Sequence, residues 1–453
     1  MLMVSKTQLE RLGLFDAKVP RYTSYPTAPH FGDAVGPERF SQWIQAIPDG
    51  SEISLYVHVP FCRRLCWFCA CRTQGTQSER PVAAYLEVLK AELALLRDTL
   101  PTGVRLSRLH WGGGTPTLLT PTMMEELAGA IADLASFADG YEFSVEIDPN
   151  EIDAARLAVL ARAGMNRASI GVQDFDPDIQ SCIGRLQSYE ITRDAVVAIR
   201  EAGVHSLNAD ILFGLPHQTT ARITDSVQKL LSLSPDRVAL YGYAHVPWMA
   251  RRQSMLPSDA LPTPSERLDL FDTARNLFAW DGYAEIGIDH FALPSDGLAT
   301  AQSAGRLRRN FQGYTDDQAD VLIGVGASSI SRFPQGYAQN APATSAHVAA
   351  IRDGRFSTTR GHAFAGEDRL RARVIEALMC DFAISSAELQ RDFGVAPAHA
   401  RRMFDAMNAR FENILIVNDD GLAIPAPARP LTRLIARAFD AYDMTGARHS
   451  SAI

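Results

Sequence analysis

Short hydrophobic segments alternate with longer amphipathic segments through the middle of the chain. The short segments are Ile53–Val59, Leu106–Trp111, Glu142–Ile147, Arg167–Val172, Leu207–Leu212 and Val238–Tyr243. The longer ones, such as Val82–Leu96 and Tyr189–Ala202, have the periodicity of helices. Strands that alternate with helices in this way form a mostly parallel sheet. The pattern therefore predicts an α/β fold built on a partial (β/α)6 barrel.

Residues suited to chemistry stand at the ends of these predicted strands. They are a group of cysteines after the first strand, then Gly112–Gly114, Glu146, Gln173, Asp210 and Tyr243. Sites of barrel enzymes gather at the carboxyl ends of the strands, so we expect these residues to meet at one mouth of the barrel.

The pattern changes to amphipathic helix after about Gly361. Core-facing spacing begins there, with Leu370, Val374, Ile375 and Leu378. Ile414–Val417 and Leu422–Ile424, separated by Asn418–Gly421, predict a hairpin with a winged-helix character. Such a wing either binds DNA or serves as a docking surface or lid, and the acidic chain favours the second role.

The composition, 46% hydrophobic and 21% charged, is that of a globular protein with a sizeable core. The net charge of −8 argues against nucleic acid as a partner. Met1–Phe15 lacks the apolar run of a signal peptide, because Lys6, Glu10 and Arg11 interrupt it. No uncharged apolar run of 18 residues occurs. We therefore expect a cytoplasmic protein that has no membrane partner.

Four of the six cysteines lie between Cys62 and Cys71. In a large cytosolic chain such a group indicates metal binding or catalysis rather than disulfides. Cys62, Cys66 and Cys69 follow the first predicted strand with C-x-x-x-C-x-x-C spacing. Three thiolates can hold three irons of a [4Fe–4S] cubane and leave the fourth iron open for a ligand. The alternative is a structural zinc with Cys71 as fourth ligand, but zinc cysteines usually come as two separated pairs.

This cysteine loop resembles that of the radical S-adenosylmethionine superfamily. Four further segments narrow the resemblance to the oxygen-independent coproporphyrinogen III oxidase family, also called coproporphyrinogen dehydrogenases: Pro20–Thr27, Tyr56–Cys62, His110–Thr117 and Arg309–Thr315. The resemblance implies a [4Fe–4S] cluster and two S-adenosylmethionine molecules. It also implies oxidative decarboxylation of coproporphyrinogen III to protoporphyrinogen IX in haem biosynthesis by a monomer, with an external electron donor and a terminal acceptor that the sequence does not identify.

The resemblance also implies a division into an arm over the active site (1–35), a radical S-adenosylmethionine domain (36–360) and a C-terminal helical, winged-helix-like domain (361–453). It assigns four residues to the first S-adenosylmethionine: Tyr56, Gly113, Glu146 and Ile330. It assigns seven to the second: Phe68, Gly114, Thr115, Gln173, Arg185, Asp210 and Ala244. Taken singly, a Gly-rich turn or a lone carboxylate at a strand end is as often structural. Three neighbours depart from the family pattern: Trp67 replaces tyrosine, Ala70 glycine and Gly184 asparagine.

Cys71 is the predicted catalytic residue. On a locally extended chain Cys69 and Cys71 point to opposite sides, which favours substrate or proton handling over cluster binding. The alternative is a small buried apolar residue. We predict that Cys182 and Cys380 are core residues. A histidine at a strand end is more often structural than a metal ligand, and this applies to His58, His110 and His290.

The four carboxylates of the substrate need basic partners. Arg21, Arg308 and Arg309 are candidates by charge and motif, and solvated surface arginines are the alternative interpretation. Two other activities compete with the oxidase: a haem chaperone with the same cluster loop, and a radical methyltransferase that also uses two S-adenosylmethionines. The Pro20–Thr27 segment and Cys71 favour the oxidase.

Overall fold

The protein is described by a computed structural model, which covers residues 4–442 and 449–453. Its strands, in chain order, are β1 (Glu52–Val59), β2 (Phe61–Cys62), β3 (Gln74–Gly75), β4 (Arg105–Gly113), β5 (Ser136–Ile147), β6 (Arg167–Gln173), β7 (Ser206–Phe213), β8 (Arg237–Gly242), β9 (Ala284–Ile286), β10 (His290–Ala292), β11 (Arg308–Asn310), β12 (Gly313–Thr315), β13 (Leu322–Val325), β14 (Ile330–Phe333), β15 (Gly336–Asn340), β16 (Thr358–Ala363), β17 (Ala383–Ser385), β18 (Ile416–Val417) and β19 (Gly421–Ala423).

The α-helices, again in chain order, are α1 (Lys6–Arg11), α2 (Pro37–Gln45), α3 (Arg80–Thr99), α4 (Pro121–Leu134), α5 (Ala154–Arg162), α6 (Pro177–Cys182), α7 (Tyr189–Glu201), α8 (Thr220–Leu231), α9 (Pro264–Trp280), α10 (Gly297–Ser303), α11 (Thr344–Arg352), α12 (Asp368–Asp381), α13 (Ser386–Phe393), α14 (Pro397–Arg410) and α15 (Thr432–Arg437). Hydroxyl side chains cap the N-termini of several of these helices. Thr120, Ser188 and Thr219 each accept a hydrogen bond from a backbone N–H in the first turn of α4, α7 and α8.

A large sheet of 12 strands forms the centre of the molecule. The six predicted strands, β1 and β4 to β8, lie side by side in chain order and pair in parallel. This confirms the predicted α/β class and mostly parallel sheet. β13 adds a seventh parallel strand beside β1, and antiparallel strands extend both edges. The carboxyl ends of β1 and β4 to β8 therefore face the same way.

Four clusters of buried hydrophobic residues occur in the described part of the chain, and two of them are much larger than the others. The first surrounds the sheet and includes Ile53, Trp111 and Phe291. The second joins Leu14 near the N-terminus to Leu378 and Phe404 of the C-terminal helices. Within the described part of the chain, no helix is long and apolar enough to cross a bilayer.

The C-terminal region contains the hairpin β18–β19, in which Ile416 pairs with Ala423. β17 adds a third strand beside β19. β16 runs across the predicted boundary between residues 360 and 361 and belongs to the large sheet. The division into arm, barrel domain and C-terminal domain stays a prediction.

Candidate active site

A cavity of about 180 Å³ opens at the carboxyl ends of the central strands. Most of the predicted site residues line it: Cys62, Cys66, Phe68, Cys69, Cys71, Gly113, Gly114, Thr115, Glu146, Gln173, Arg185 and Asp210. Tyr56, Ala244 and Ile330 are not in its lining. The cavity forms because every parallel strand ends at the same edge of the sheet.

The cysteine loop is closed at its base by the short strands β2 and β3. The backbone N–H of Gln74 donates to the Pro60 carbonyl (2.8 Å), and that of Thr76 donates to the Cys62 carbonyl (3.0 Å). Inside the loop the Cys69 N–H approaches the Cys66 carbonyl at 3.4 Å. The loop is therefore anchored directly to β1, and its cysteines are presented to one cavity.

The environments of the three thiols differ. Burial raises the pKa of Cys62 to about 11, against hydrogen bonds with Thr115 and Thr73 that favour the thiolate. Burial also raises the pKa of Cys66, although the Arg185 guanidinium lies 3.6 Å from its sulfur. Only thiolates bind metal, so loading such a site releases protons and becomes easier as the pH rises.

Cys71 does not point away from Cys69, and the opposite-side prediction was wrong. Its backbone N–H lies 3.4 Å from the Cys69 sulfur, and its side chain lines the same cavity. The hydrogen bond from the Cys71 thiol holds the pKa of Cys69 below its ordinary value. The reason is a local turn, since the Thr73 N–H donates to the Cys71 carbonyl at 2.9 Å and the segment is not extended. Cys71 is exposed at the cavity mouth rather than buried as packing.

The donor chemistry of the loop agrees with an iron–sulfur cluster. Thiolate is the usual protein ligand of such clusters, and three of them reach the cavity from one loop. Across residues 4–442 and 449–453, no three Cys, His, Asp or Glu side chains converge on one point in the way a single metal ion requires. Thiolates bound to different irons of a cubane need no such convergence.

Glu146 is one of three carboxylates that line the cavity, together with Asp148 and Asp210. Its carboxylate accepts a hydrogen bond from the Gly113 N–H (3.0 Å) and lies 3.3 Å from the His110 Nε2 atom. Burial alone would raise the pKa of Glu146, but these two contacts hold it below its ordinary value. The side chain remains 42% exposed. An ionised, accessible carboxylate here is suited to pair with an ammonium group.

Arg185 and Asp210 also line the cavity. The Arg185 guanidinium donates to the Gly171 carbonyl (3.0 Å) and lies 3.5 Å from the Asp148 carboxylate, while its Nε atom is buried without a partner among the described residues. Burial raises the pKa of Asp210 to about 7, against a hydrogen bond from Asn208 at 2.9 Å. Arg185 is thus suited to a carboxylate, and Asp210 to hydroxyl donors.

The three predicted residues outside the lining have different positions. Tyr56 lies on β1, where its hydroxyl contacts the His58 Nδ1 atom at 2.9 Å. Ile330 lies on β14, two strands away from β1. Ala244 follows β8, and its carbonyl accepts a hydrogen bond from the side chain of Gln253 (3.0 Å).

Sequence reasoning missed Gln253 and Arg252. The Gln253 side chain is fully buried and also donates to the Phe68 carbonyl (2.7 Å), which ties the segment after β8 to the cysteine loop. Arg252 lines the cavity and donates to the Thr73 hydroxyl (3.1 Å). Neither belongs to a recognisable motif, so no local signal in the sequence identifies them.

Two of the three departures from the family pattern, Trp67 and Gly184, are in contact with each other. Gly184 has a positive φ of 69°, and a Cβ atom added there would lie 2.9 Å from the Trp67 ring. The asparagine of the family pattern at position 184 would therefore collide with Trp67, whose ring is larger than that of the tyrosine it replaces. The two departures are sterically matched, and they leave the cavity lining intact.

The remaining predictions about single residues have mixed outcomes. Cys380 is buried as predicted, but Cys182 is only partly buried because it ends the short helix α6. Arg309 is buried, so the surface interpretation is wrong for it. Arg21 is partly buried. Arg308 is 37% exposed and pairs with Glu376.

The strand-end histidines have structural partners. The His58 ring packs against Gly113, and its Nε2 atom lies 3.3 Å from the Arg72 carbonyl. His290 contacts the Asp289 carboxylate at 2.7 Å. His110 differs, because its partner is the cavity carboxylate of Glu146.

Comparison with known proteins gives the family. Residues 56–230 match the model of the radical SAM superfamily. The oxygen-independent coproporphyrinogen III oxidase of Paracoccus denitrificans is 68% identical over 451 residues, covering 100% of both chains. The protein of that name from Cereibacter sphaeroides is 60% identical over 98% of this chain and 99% of its own length.

A solved structure agrees with these relatives. Coproporphyrinogen III oxidase (HemN) from Escherichia coli, described as a radical SAM enzyme, is 33% identical, with a TM-score of 0.89 over 94% of this chain and 100% of its own. Identity and fold thus agree over nearly the full length. The chain belongs to the oxygen-independent coproporphyrinogen III oxidase family of radical SAM enzymes.

Proposed function

We propose that this chain converts coproporphyrinogen III to protoporphyrinogen IX in haem biosynthesis without oxygen. Cys62, Cys66 and Cys69, the cluster cysteines, would hold a [4Fe–4S] cluster whose fourth iron binds S-adenosylmethionine. A second S-adenosylmethionine would lie beside the first. The observation that carries the proposal is the presentation of three cysteines by one closed loop to a cavity that also contains Glu146, Arg185 and Asp210.

When bound, the cluster and S-adenosylmethionine would supply radical chemistry able to remove a hydrogen atom from the β-carbon of a substrate propionate. The propionate then loses CO₂ and one electron to leave a vinyl group. Repeating these steps on a second propionate completes the reaction. The electron leaves to an acceptor, and an external donor supplies the electron that starts each cycle.

The protein's own residues hold the reactants. The Glu146 carboxylate would accept hydrogen bonds from the ammonium of the first S-adenosylmethionine, since its pKa keeps it ionised. Arg185 would pair with the carboxylate of the second molecule, and Asp210 with ribose hydroxyls. Cys71, at the exposed mouth, would hold or transfer a proton near the substrate.

The surrounding segments would exclude water. Arg21 ties the N-terminal segment to the barrel by donating to the Gly242 carbonyl at the end of β8 (2.6 Å). The C-terminal helices share a hydrophobic core with the same segment. Such a cover would keep the radical away from solvent. We further propose that the enzyme works as a monomer in the cytoplasm.

The test is anaerobic turnover by the reconstituted protein. Incubation with coproporphyrinogen III, S-adenosylmethionine and a reductant should yield protoporphyrin after oxidation, with CO₂ and 5′-deoxyadenosine as co-products. A matched sample without S-adenosylmethionine should yield none. Formation of 5′-deoxyadenosine with unchanged substrate, at full cluster loading and with an added electron acceptor, would contradict the proposed activity while leaving the radical chemistry in place.

A further inference from the structure

A second cavity, of about 290 Å³, lies between the end of β8, helix α9 and the C-terminal segments. We call it the arginine cavity, after four arginines in its wall: Arg309, which is buried, and Arg21, Arg267 and Arg433, which are partly buried. The remaining wall contains apolar side chains, among them Phe213, Phe271, Ile288 and Phe382. It also contains three carboxylates and three further cations, so that cations outnumber carboxylates: Asp272, Glu285 and Asp289, and Lys6, Arg275 and Arg429. A cavity with this combination is suited to an apolar ligand that carries negative charge.

Three of these cations have only backbone partners. Arg21 donates to the Gly242 carbonyl (2.6 Å), Arg267 to the Tyr243 carbonyl (2.8 Å) and Arg433 to the Ser451 carbonyl (3.0 Å). Among the Asp and Glu side chains that the structure describes, none lies within 4.0 Å of these three guanidiniums. Arg267 also donates from Nε to the main-chain oxygen of Ile453 (3.0 Å). The backbone carbonyls that bind Arg21 and Arg433 satisfy the donors but do not neutralise the charge.

Arg309 adds hydrogen-bond donors without acceptors. Its side chain is 4% exposed, and its Nε and Nη1 atoms find no hydrogen-bond partner in the described residues. Asp289 is its nearest carboxylate, 3.6 Å from Nη1. Buried donors without acceptors are costly, so an incoming carboxylate would be stabilised here.

The charges also act on one another. Burial and the neighbouring Arg21 and Arg309 lower the pKa of Arg433 to about 9, and burial with Arg21 lowers that of Arg267 to about 10. An anion in the cavity would relieve this repulsion. The effect is local, because the whole chain has a net charge of −8.

The segment at the end of β8 connects the walls of the two cavities through hydrogen bonds. Gly242 and Tyr243, whose carbonyls bind Arg21 and Arg267, immediately precede Ala244. The Ala244 carbonyl shares the buried Gln253 amide with the Phe68 carbonyl of the cysteine loop. A carboxylate among the arginines would thus stand beside the reacting centre but outside it.

We propose that the arginine cavity binds the carboxylates of the two propionates that the porphyrinogen retains through the reaction. This inference rests on the proposed function, which supplies a substrate with four propionates, of which two are converted. The aromatic wall would contact the pyrrole ring that carries each retained propionate arm of the porphyrinogen. Substrate and product share these arms, so the cavity anchors both while the other side of the molecule faces the cysteines.

The first test is binding of two stable porphyrins, coproporphyrin III and its tetramethyl ester, followed by fluorescence. The acid should bind the wild-type protein at least about tenfold more tightly than the ester, as expected for charge-assisted hydrogen bonds. Arg21→Gln and Arg267→Gln should each weaken acid binding about tenfold without changing ester binding. Arg21→Lys should recover part of the loss, because it restores the charge.

The matched control is Arg391→Gln, which removes an exposed arginine on α13 that pairs with Asp392. It should bind both porphyrins like the wild type. Equal binding of acid and ester by the wild type would overturn the proposal. Undiminished acid binding by both glutamine variants, at an unchanged melting temperature, would overturn it as well.

Kinetics then separate this proposal from the proposed function. In the two glutamine variants KM for coproporphyrinogen III should rise about tenfold, while dithionite-driven cleavage of S-adenosylmethionine without substrate stays at the wild-type rate. A wild-type enzyme that makes no protoporphyrin would refute the proposed function. An active wild type whose variants lose S-adenosylmethionine cleavage, with KM unchanged, would refute the arginine cavity alone.

Discussion

Replacing Gly113 by alanine should destabilise the protein at the centre of the candidate site. Gly113 has a φ of +112°, and an added Cβ atom would lie 2.5 Å from the His58 Nδ1 atom. The His58 ring cannot turn away freely, because it is buried and contacts the Tyr56 hydroxyl and the Arg72 carbonyl. Alanine therefore meets both an unfavourable backbone conformation and a fixed neighbour.

The cost follows from these two contributions. A backbone conformation restricted to glycine costs about 1–3 kcal/mol. Displacing the His58 ring loses two hydrogen bonds of about 1 kcal/mol each. The sum is about 3–5 kcal/mol. An unfolding entropy of about 2.1 cal/mol/K per residue gives about 0.95 kcal/mol/K for this chain, so the melting temperature should fall by about 3–5 °C.

Gly129 offers a matched control inside helix α4. It is exposed, and an added Cβ atom would have no neighbour within 4 Å. Gly129→Ala should stabilise the protein by about 0.5–1 kcal/mol, because alanine has the higher helix propensity. Thermal unfolding of both variants by circular dichroism gives the comparison. A Gly113→Ala variant as stable as the wild type would refute the steric argument.

Three further predictions concern single side chains. Serine at any one of the cluster cysteines should remove most of the iron and the brown absorbance of the reconstituted protein, and full iron content in all three variants would contradict the ligand assignment. Cys71→Ser should keep the iron and the cleavage of S-adenosylmethionine but lose most vinyl formation. Loss of iron would show that Cys71 is a cluster ligand. Full activity would show that Cys71 only fills space in the packed structure. Burial raises the pKa of Glu92 from 4.5 to about 7, so folding stability of about 3 kcal/mol should be lost as the pH rises through this range. Chemical denaturation of Glu92→Gln between pH 4.5 and 7 should lack that loss, whereas Glu87→Gln, exposed on the same helix, should titrate like the wild type.

Six of the seven parallel strands could be predicted, because the sequence of each one has a recognisable strand pattern. β1 and β4 to β8 are hydrophobic runs separated by helices, which is the pattern of βαβ units. β13 gives no comparable signal. It has four residues, and its partner β1 lies far away along the chain, with Leu322 opposite Ser54. Pairing between such distant segments depends on the assembled barrel rather than on local propensity.

The cysteine loop shows the same limit on a smaller scale. Spacing alone identified Cys62, Cys66 and Cys69 as one group, since all three belong to a short loop after a strand. The direction of Cys71 depends on a turn that period-two reasoning does not anticipate. The contact between Trp67 and Gly184 was likewise hidden, because the two departures are far apart in sequence and only the fold brings them together.

The net charge of the whole chain is a poor guide to the charge at one site. A net charge of −8 counts every surface side chain equally, and it correctly disfavours a long basic face. The arginine cavity draws its cations from separate parts of the chain, and Arg21 meets its partner Gly242 across 221 positions. Burial then makes each of these charges more important than an exposed one, since low dielectric surroundings strengthen electrostatic interactions. An acidic protein can therefore concentrate positive charge at one site, and a substrate with several carboxylates requires that arrangement.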